Sequence, residues 1–168
     1  MRKQQKGFSL IELLIVVAII LIIAAIAIPN LLRARISANE ASAVSSLRTM
    51  NTACITYNST YGLYPTALSD LQPVGVGNTP TSTSADLLDQ VLSLAAAGAT
   101  NPQKSGYNFT FASPGTGFGG TAGYTYSINA DAVVENQTGV RHFYTDMSGV
   151  IRFNAGATAA VTDSPLAQ

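Results

Sequence analysis

From Phe8 to Ile28 the chain runs for 21 residues with one charged side chain, Glu12, and the next charge after it is Arg33. A helix over that stretch, at about 1.5 Å per residue, is roughly 31 Å long. That is the thickness of a bilayer's hydrocarbon core, about 30 Å. A charged side chain in such a segment costs on the order of 2.5–3.5 kcal/mol at the bilayer centre. Glu12 therefore needs a reason, and a cation met after insertion supplies one.

Arg2, Lys3 and Lys6 precede the run with no acidic residue among them. The positive-inside tendency keeps that end in the cytoplasm and sends the chain beyond Arg33 outward. Three readings compete. A secretory signal peptide has a shorter apolar run, of about 7–15 residues, although Ala24, Ala25 and Ala27 imitate its cleavage site. A plain membrane anchor fits the length but leaves Glu12 and the Gly7-Phe8 junction unexplained. The third is cleavage after Gly7, which makes Phe8 a new N-terminus.

Gly7-Phe8-Ser9-Leu10-Ile11-Glu12, behind a short basic leader and ahead of an apolar run ending at Pro29, resembles the class III leader of type IV prepilins and type II secretion pseudopilins. The resemblance covers residues 1 to about 62. It implies that a membrane-embedded prepilin peptidase cuts after Gly7 and methylates the amine of Phe8. It also implies that Glu12 is the family's conserved-type glutamate and Pro29 its helix proline. Leu21 departs from the pattern, standing where many major pilins carry a helix-loosening glycine. The implied partners are other copies in a helical filament, the peptidase, an inner-membrane platform protein and a cytoplasmic assembly ATPase.

The electrostatics agree with that resemblance. An opposite charge favours an ionised carboxylate and burial disfavours it. When copies stack, the freed amine of one can meet Glu12 of the next, which makes Glu12 a register device. Specifying an arrangement is the best-attested role of a buried polar group.

Removing the leader takes away three of nine basic residues and leaves six against nine acidic, a net −3. No charge surplus suits the domain to nucleic acid. One cysteine, Cys54, excludes an intrachain disulfide, whereas many pilins close a C-terminal loop with one. Ala43, Leu47, Met50, Cys54, Tyr57 and Tyr61 follow at spacings of 4, 3, 4, 3 and 4, a one-face helical stripe. Cys54 on that stripe reads as a small buried apolar residue. Arg33, Arg35, Glu40 and Arg48 fall mostly off it and read as solvated or facing neighbouring copies. Pro29 is expected to bend this helix without ending it, and Gly62 to end it.

The expected fold is α+β and pilin-like: a long bent N-terminal helix, with a transmembrane half and an amphipathic half, packed on a C-terminal antiparallel sheet of three or four strands. The segments are a cleaved leader at 1–7, a transmembrane or filament-core helix at 8–30, an amphipathic helix at 31–62, a connecting region at 63–105, the sheet at 106–154 and a flexible tail at 155–168. Within the connecting region, Tyr64-Pro65-Thr66 resembles the turn of major pseudopilins. A short helix is expected from Ser84 or Asp86 through Leu94, stopping near Gly98. Strands are read at Tyr107–Phe111 and Tyr124–Ile128, on either side of a glycine-rich turn. A hairpin is read at Val140–Tyr144 and Val150–Phe153, closed by Asp146–Gly149.

Other candidate sites have plainer readings. Gly115 to Gly120 opens no helix and has no lysine in the phosphate-loop position, so it reads as a turn. His142, the single histidine, has no nucleophile beside it in sequence and reads as a strand-surface or satisfied core residue. Asp131, Glu135 and Asp146 are the candidate calcium ligands, on the resemblance to calcium-binding pseudopilins, although no compact acidic loop like an EF-hand is present. Asn58, Asn108 and Asn136 head Asn-X-Thr or Asn-Ser-Thr triplets of a kind common in a chain rich in Asn and Thr.

The function these features imply is a filament subunit without enzymatic activity or cofactor. It resides in the inner membrane as a single-pass protein before assembly, then in a surface or periplasmic fibre. A type IV pilus for adhesion, twitching or DNA uptake and a type II secretion pseudopilus both fit. A membrane-anchored exported domain that never polymerises is the alternative from a different class.

Overall fold

The computed structural model describes residues 8–93, 101–113 and 125–167. It divides into two compact units, Met1–Arg35 and Ile36–Gln168. Helix α1 spans Leu10–Tyr61, with Pro29 inside it. Pro29 supplies no N–H for the carbonyl one turn back, yet the residues after it keep helical geometry. The side-chain amide of Asn30 donates to the Ile26 carbonyl at 3.0 Å. The helix stops where the sequence indicates. Gly62 takes φ +81°, a conformation without penalty only for glycine, and its N–H closes on the Asn58 carbonyl at 2.8 Å.

In the first unit no described residue is buried. In the second, the stripe of Ala43, Leu47, Met50, Cys54 and Tyr57 is buried and Tyr61 is packed at its margin. It lies under an antiparallel sheet of five strands in sequential order: β1 Gln103–Lys104, β2 Tyr107–Ala112, β3 Ser127–Ala132, β4 His142–Asp146 and β5 Arg152–Asn154. The fold is α+β as expected, with five strands in place of three or four. The additional strand is β1, too short to show a period of two in the sequence. Register pairs Phe109 with Ala130 and Ala130 with Phe143, and Phe143 faces Phe153 across the next rung. These side chains share one face, as alternation in a strand requires, and bury against α1 with Tyr107, Tyr126 and Ile128. The β4–β5 turn is the expected one, closed from the Gly149 N–H to the Asp146 carbonyl at 2.9 Å. Tyr124, the glycine-rich turn, Leu94 and Gly98 lie outside the described residues.

Three expectations are corrected. The helix from Ser84 or Asp86 is absent over residues 84–93. Asp86 is left-handed at φ +55°, and the N–H groups of Ala85, Asp86, Leu87 and Leu88 donate instead to carbonyls of Asp70, Leu71 and Gln72, at the end of the 3₁₀ turn Leu68–Leu71. Local closure there is limited to a turn in which the Asp89 side chain accepts from the Leu92 N–H at 2.8 Å and its carbonyl from the Ser93 N–H at 3.0 Å. Secondly, the tail from Ala155 is docked. The Phe153 N–H donates to Ser164, the Leu166 N–H to Ile151, and the Asn129 amide to Ala159, which is itself buried. Small side chains let this segment lie close against the sheet's outer face and its β5 edge. Thirdly, Glu40 is buried, not solvated.

Candidate functional site: the N-terminal processing and assembly segment

Every large apolar side chain from Phe8 to Ile28 is exposed, Phe8 by 80%. The helix is long and apolar enough to cross a membrane. Such a surface is covered by lipid or by other protein. At its start Ser9 is the cap: its carbonyl accepts the first helical N–H, from Leu13 at 3.2 Å. Glu12, three residues on, reaches back with Oε2 to the Ser9 N–H at 2.9 Å. This is the glutamate arm of a capping box, in which an orphan donor at the helix start is satisfied and a negative charge sits at the positive end of the dipole. One carboxylate oxygen is thus engaged within the chain, while the other has no partner among the described residues. Gly7 lies outside those residues, so the expected Gly7-Phe8 cleavage junction is seen only from its Phe8 side. The Ser-X-X-Glu spacing that marks a capping box stands in the sequence at Ser9–Glu12. Reading Glu12 as a membrane charge that waits for a neighbour's amine passed over it.

The remaining candidates fall in the second unit. Cys54 is fully buried, and desolvation pushes its thiol up to about 12, so it is a neutral packing group. The three acidic candidates do not converge. Asp131 and Glu135 approach opposite ring nitrogens of His142, Nδ1 at 2.8 Å and Nε2 at 3.4 Å. Asp146 is opposite Ser127, four residues along β3 from Asp131, or roughly 13 Å away. Among the described residues no group of three His, Cys, Asp or Glu side chains could hold a metal. Separation along the ladder thus removes Asp131, Glu135 and Asp146 as a candidate calcium trio. The blander reading of His142 as a satisfied, buried histidine holds.

Glu40 is the residue whose role the sequence concealed. Its Oε1 accepts from the Val140 and Arg141 N–H groups, both at 3.1 Å, and its Oε2 from Arg141 Nε at 2.8 Å. Arg141 in turn lies over the Phe143 and Phe153 rings. Asn39 donates to the Thr138 carbonyl at 2.8 Å. Two adjacent helix residues thereby pin the β3–β4 connection to α1. The available signal was spacing: Glu40 precedes Ala43 by three and so extends the stripe.

The prokaryotic N-terminal methylation motif matches residues 2–28. The type IV wide pilus major component PilA4 of Thermus thermophilus is 66% identical over 38 residues, 23% of this chain and 29% of that protein. The type IV major pilin protein PilA of Myxococcus xanthus is 48% identical over 50 residues, 30% of this chain and 23% of that one. The type II secretion system core protein G of Klebsiella michiganensis is 32% identical over 71 residues, 42% of this chain and 50% of that one. The matched segments thus span half or less of these relatives. The motif and the three relatives support a type IV pilin or pseudopilin family for this chain.

Proposed function

We propose that this chain is the structural subunit of a type IV pilus-like filament. A prepilin peptidase cuts after Gly7 and methylates Phe8. The apolar part of α1 stores the subunit in the inner membrane and then packs among copies in the fibre, with Pro29 as the point where the helix bends. The observation that carries this reading is the wholly uncovered apolar helix with one carboxylate at its start. Because the Ser9 N–H takes one oxygen of Glu12, the other remains to accept the Phe8 amine of an adjacent copy. Cleavage before Phe8 leaves the Ser9–Glu12 bond intact, so the acceptor is already oriented when the neighbour arrives. A platform protein and an assembly ATPase supply the work, and the subunit carries no catalysis of its own.

Two measurements test this. Mass spectrometry of the protein from its native host is expected to show loss of residues 1–7 and gain of one methyl group; an intact N-terminus identifies a non-polymerising anchored domain instead. Glu12→Leu is expected to be processed normally yet give no filaments by electron microscopy, and normal filaments from that variant overturn the assignment of Glu12. A second reading, the major pseudopilin of a type II secretion system, draws on the match to core protein G, which is longer than the apolar segment. A secretin-linked secretion operon beside the gene favours it, and a retraction ATPase gene favours the pilus.

A further inference from the structure

Among the described residues of the second unit, almost every charged side chain is already engaged. Glu40 holds Arg141, Asp89 holds Lys104, and Asp131 and Glu135 flank His142. Asp70 accepts from the Thr66 and Ala67 N–H groups, Asp146 from the Ser148 N–H and Asp163 from the Ala160 N–H, while Arg152 donates to the Asp163 carbonyl. Two exposed charges are left over among those residues, one of each sign: Arg48 and Asp86. They stand on opposite sides of the sheet. Arg48 lines a groove of about 690 Å³ with Thr52 and Ile55 of α1, Val150 and Ile151 at the approach to β5, and Leu166 of the tail. Asp86 is close in sequence to Asp89, whose carboxylate reaches Lys104 of β1 at 3.0 Å. β1 and β5 are the two edges of the sheet, four strand spacings or roughly 19 Å apart.

Each leftover charge has an apolar companion. In the groove, Ile55 and Val150 are large apolar side chains left exposed. The Thr52 hydroxyl already donates to the Arg48 carbonyl at 3.0 Å, so covering the groove strands no donor there. On the other side, the Asp86 N–H donates to the Gln72 carbonyl at 2.9 Å, which ties Asp86 to the start of the loop that carries Val76. Val76 is fully exposed, on a turn closed from the Asn78 N–H to the Gly75 carbonyl at 3.0 Å. We propose that these are the two halves of one contact between copies of this chain: Asp86 of one copy pairs with Arg48 of the next, and Val76 enters the groove beside it. The contact rests on the reading of the chain as a filament subunit. The halves occupy different surfaces, so the interface is heterologous, and such an interface propagates into an open filament unless its rotation closes a ring. An exposed ion pair adds only about 0–1 kcal/mol. Burial of Val76 therefore holds the copies together, and the charges set their orientation by opposing mismatched faces.

The test is disulfide capture of the full chain in its native host; Cys54 is buried and does not interfere. A chain carrying both Arg48→Cys and Asp86→Cys is expected, on mild oxidation, to give a ladder of dimers, trimers and higher species on a denaturing gel. Neither single substitution is expected to give a ladder. Efficient dimers from one single substitution, with no ladder from the double, define a two-fold contact and overturn the proposal. Charge reversal is the second arm. Arg48→Glu and Asp86→Arg are each expected to lower filament yield severalfold by electron microscopy, and the two together to restore it. Rescue of Asp86→Arg by Arg33→Glu or Arg35→Glu instead gives Asp86 a different partner and overturns the pairing. Full filament yield from both single reversals overturns this contact and leaves the filament reading standing. A processed wild-type chain that forms no filaments overturns that reading, and the ladder from membranes then still decides whether the contact exists.

Discussion

At the scale of single residues, the two glutamates of α1 have opposite fates for the same physical reason. Glu12 and Glu40 each need positive partners. Glu12 has one backbone N–H of its own helix and an uncovered surface around it. Glu40 has two backbone N–H groups and a guanidinium, all about 100 positions away in sequence. Glu40→Ala strands two partly buried amides and frees Arg141, so it is expected to lower the stability of the second unit by about 2–4 kcal/mol. Chemical denaturation followed by near-UV circular dichroism measures this, and a change under about 0.5 kcal/mol would remove the pin from the account. Glu12 was legible because its neighbours are uniformly apolar. Glu40 sits among polar residues, and its partners come from the far end of the chain.

At the scale of elements, periodicity located α1's buried stripe, strand β2 and the β4–β5 hairpin, but it ended the next strand at Ile128, whereas β3 runs on to Ala132 through residues without large apolar side chains. It failed where backbone hydrogen bonds to distant segments decide the conformation. The segment at 84–93 carries leucines at helical spacing, but its backbone donors are taken by the 70–72 carbonyls, and those pairings win over a short uncapped helix. The tail carries almost no large side chains, yet it docks through backbone hydrogen bonds, which no side-chain pattern announces. It also covers the β5 edge, where unpaired N–H and C=O groups would otherwise invite pairing with another copy. Truncation after Thr158 is expected to remove several hydrogen bonds worth about 1 kcal/mol each and to expose that edge. Size-exclusion chromatography in detergent should then show association and denaturant titration a lower midpoint. A monodisperse truncation of unchanged midpoint would make the tail an ornament.

At the scale of the whole molecule, the core of the second unit is expected to lose stability in alkali. Burial raises the Cys54 thiol from 9.0 to about 12, and burial likewise raises the Tyr107 and Tyr126 phenols above 10.0. The native state holds these protons more tightly than the unfolded chain, so their contribution is complete below pH 9 and is lost as pH rises toward 12. The denaturation midpoint is expected to be flat to about pH 9 and then to fall, less steeply in Cys54→Ala; an equal slope in that variant would assign the fall to the tyrosines alone. The sequence by itself determined the membrane-length helix, its single acid, the N-terminal methylation motif and the buried stripe, because each is a contiguous pattern set by the period of one element or by a short run of residues. Only tertiary structure decided that Glu40 is buried, that Asp131 and Glu135 share His142 while Asp146 stands apart, and that the tail is docked. Those outcomes depend on strand register and on hydrogen bonds between distant segments, which a one-dimensional pattern does not encode.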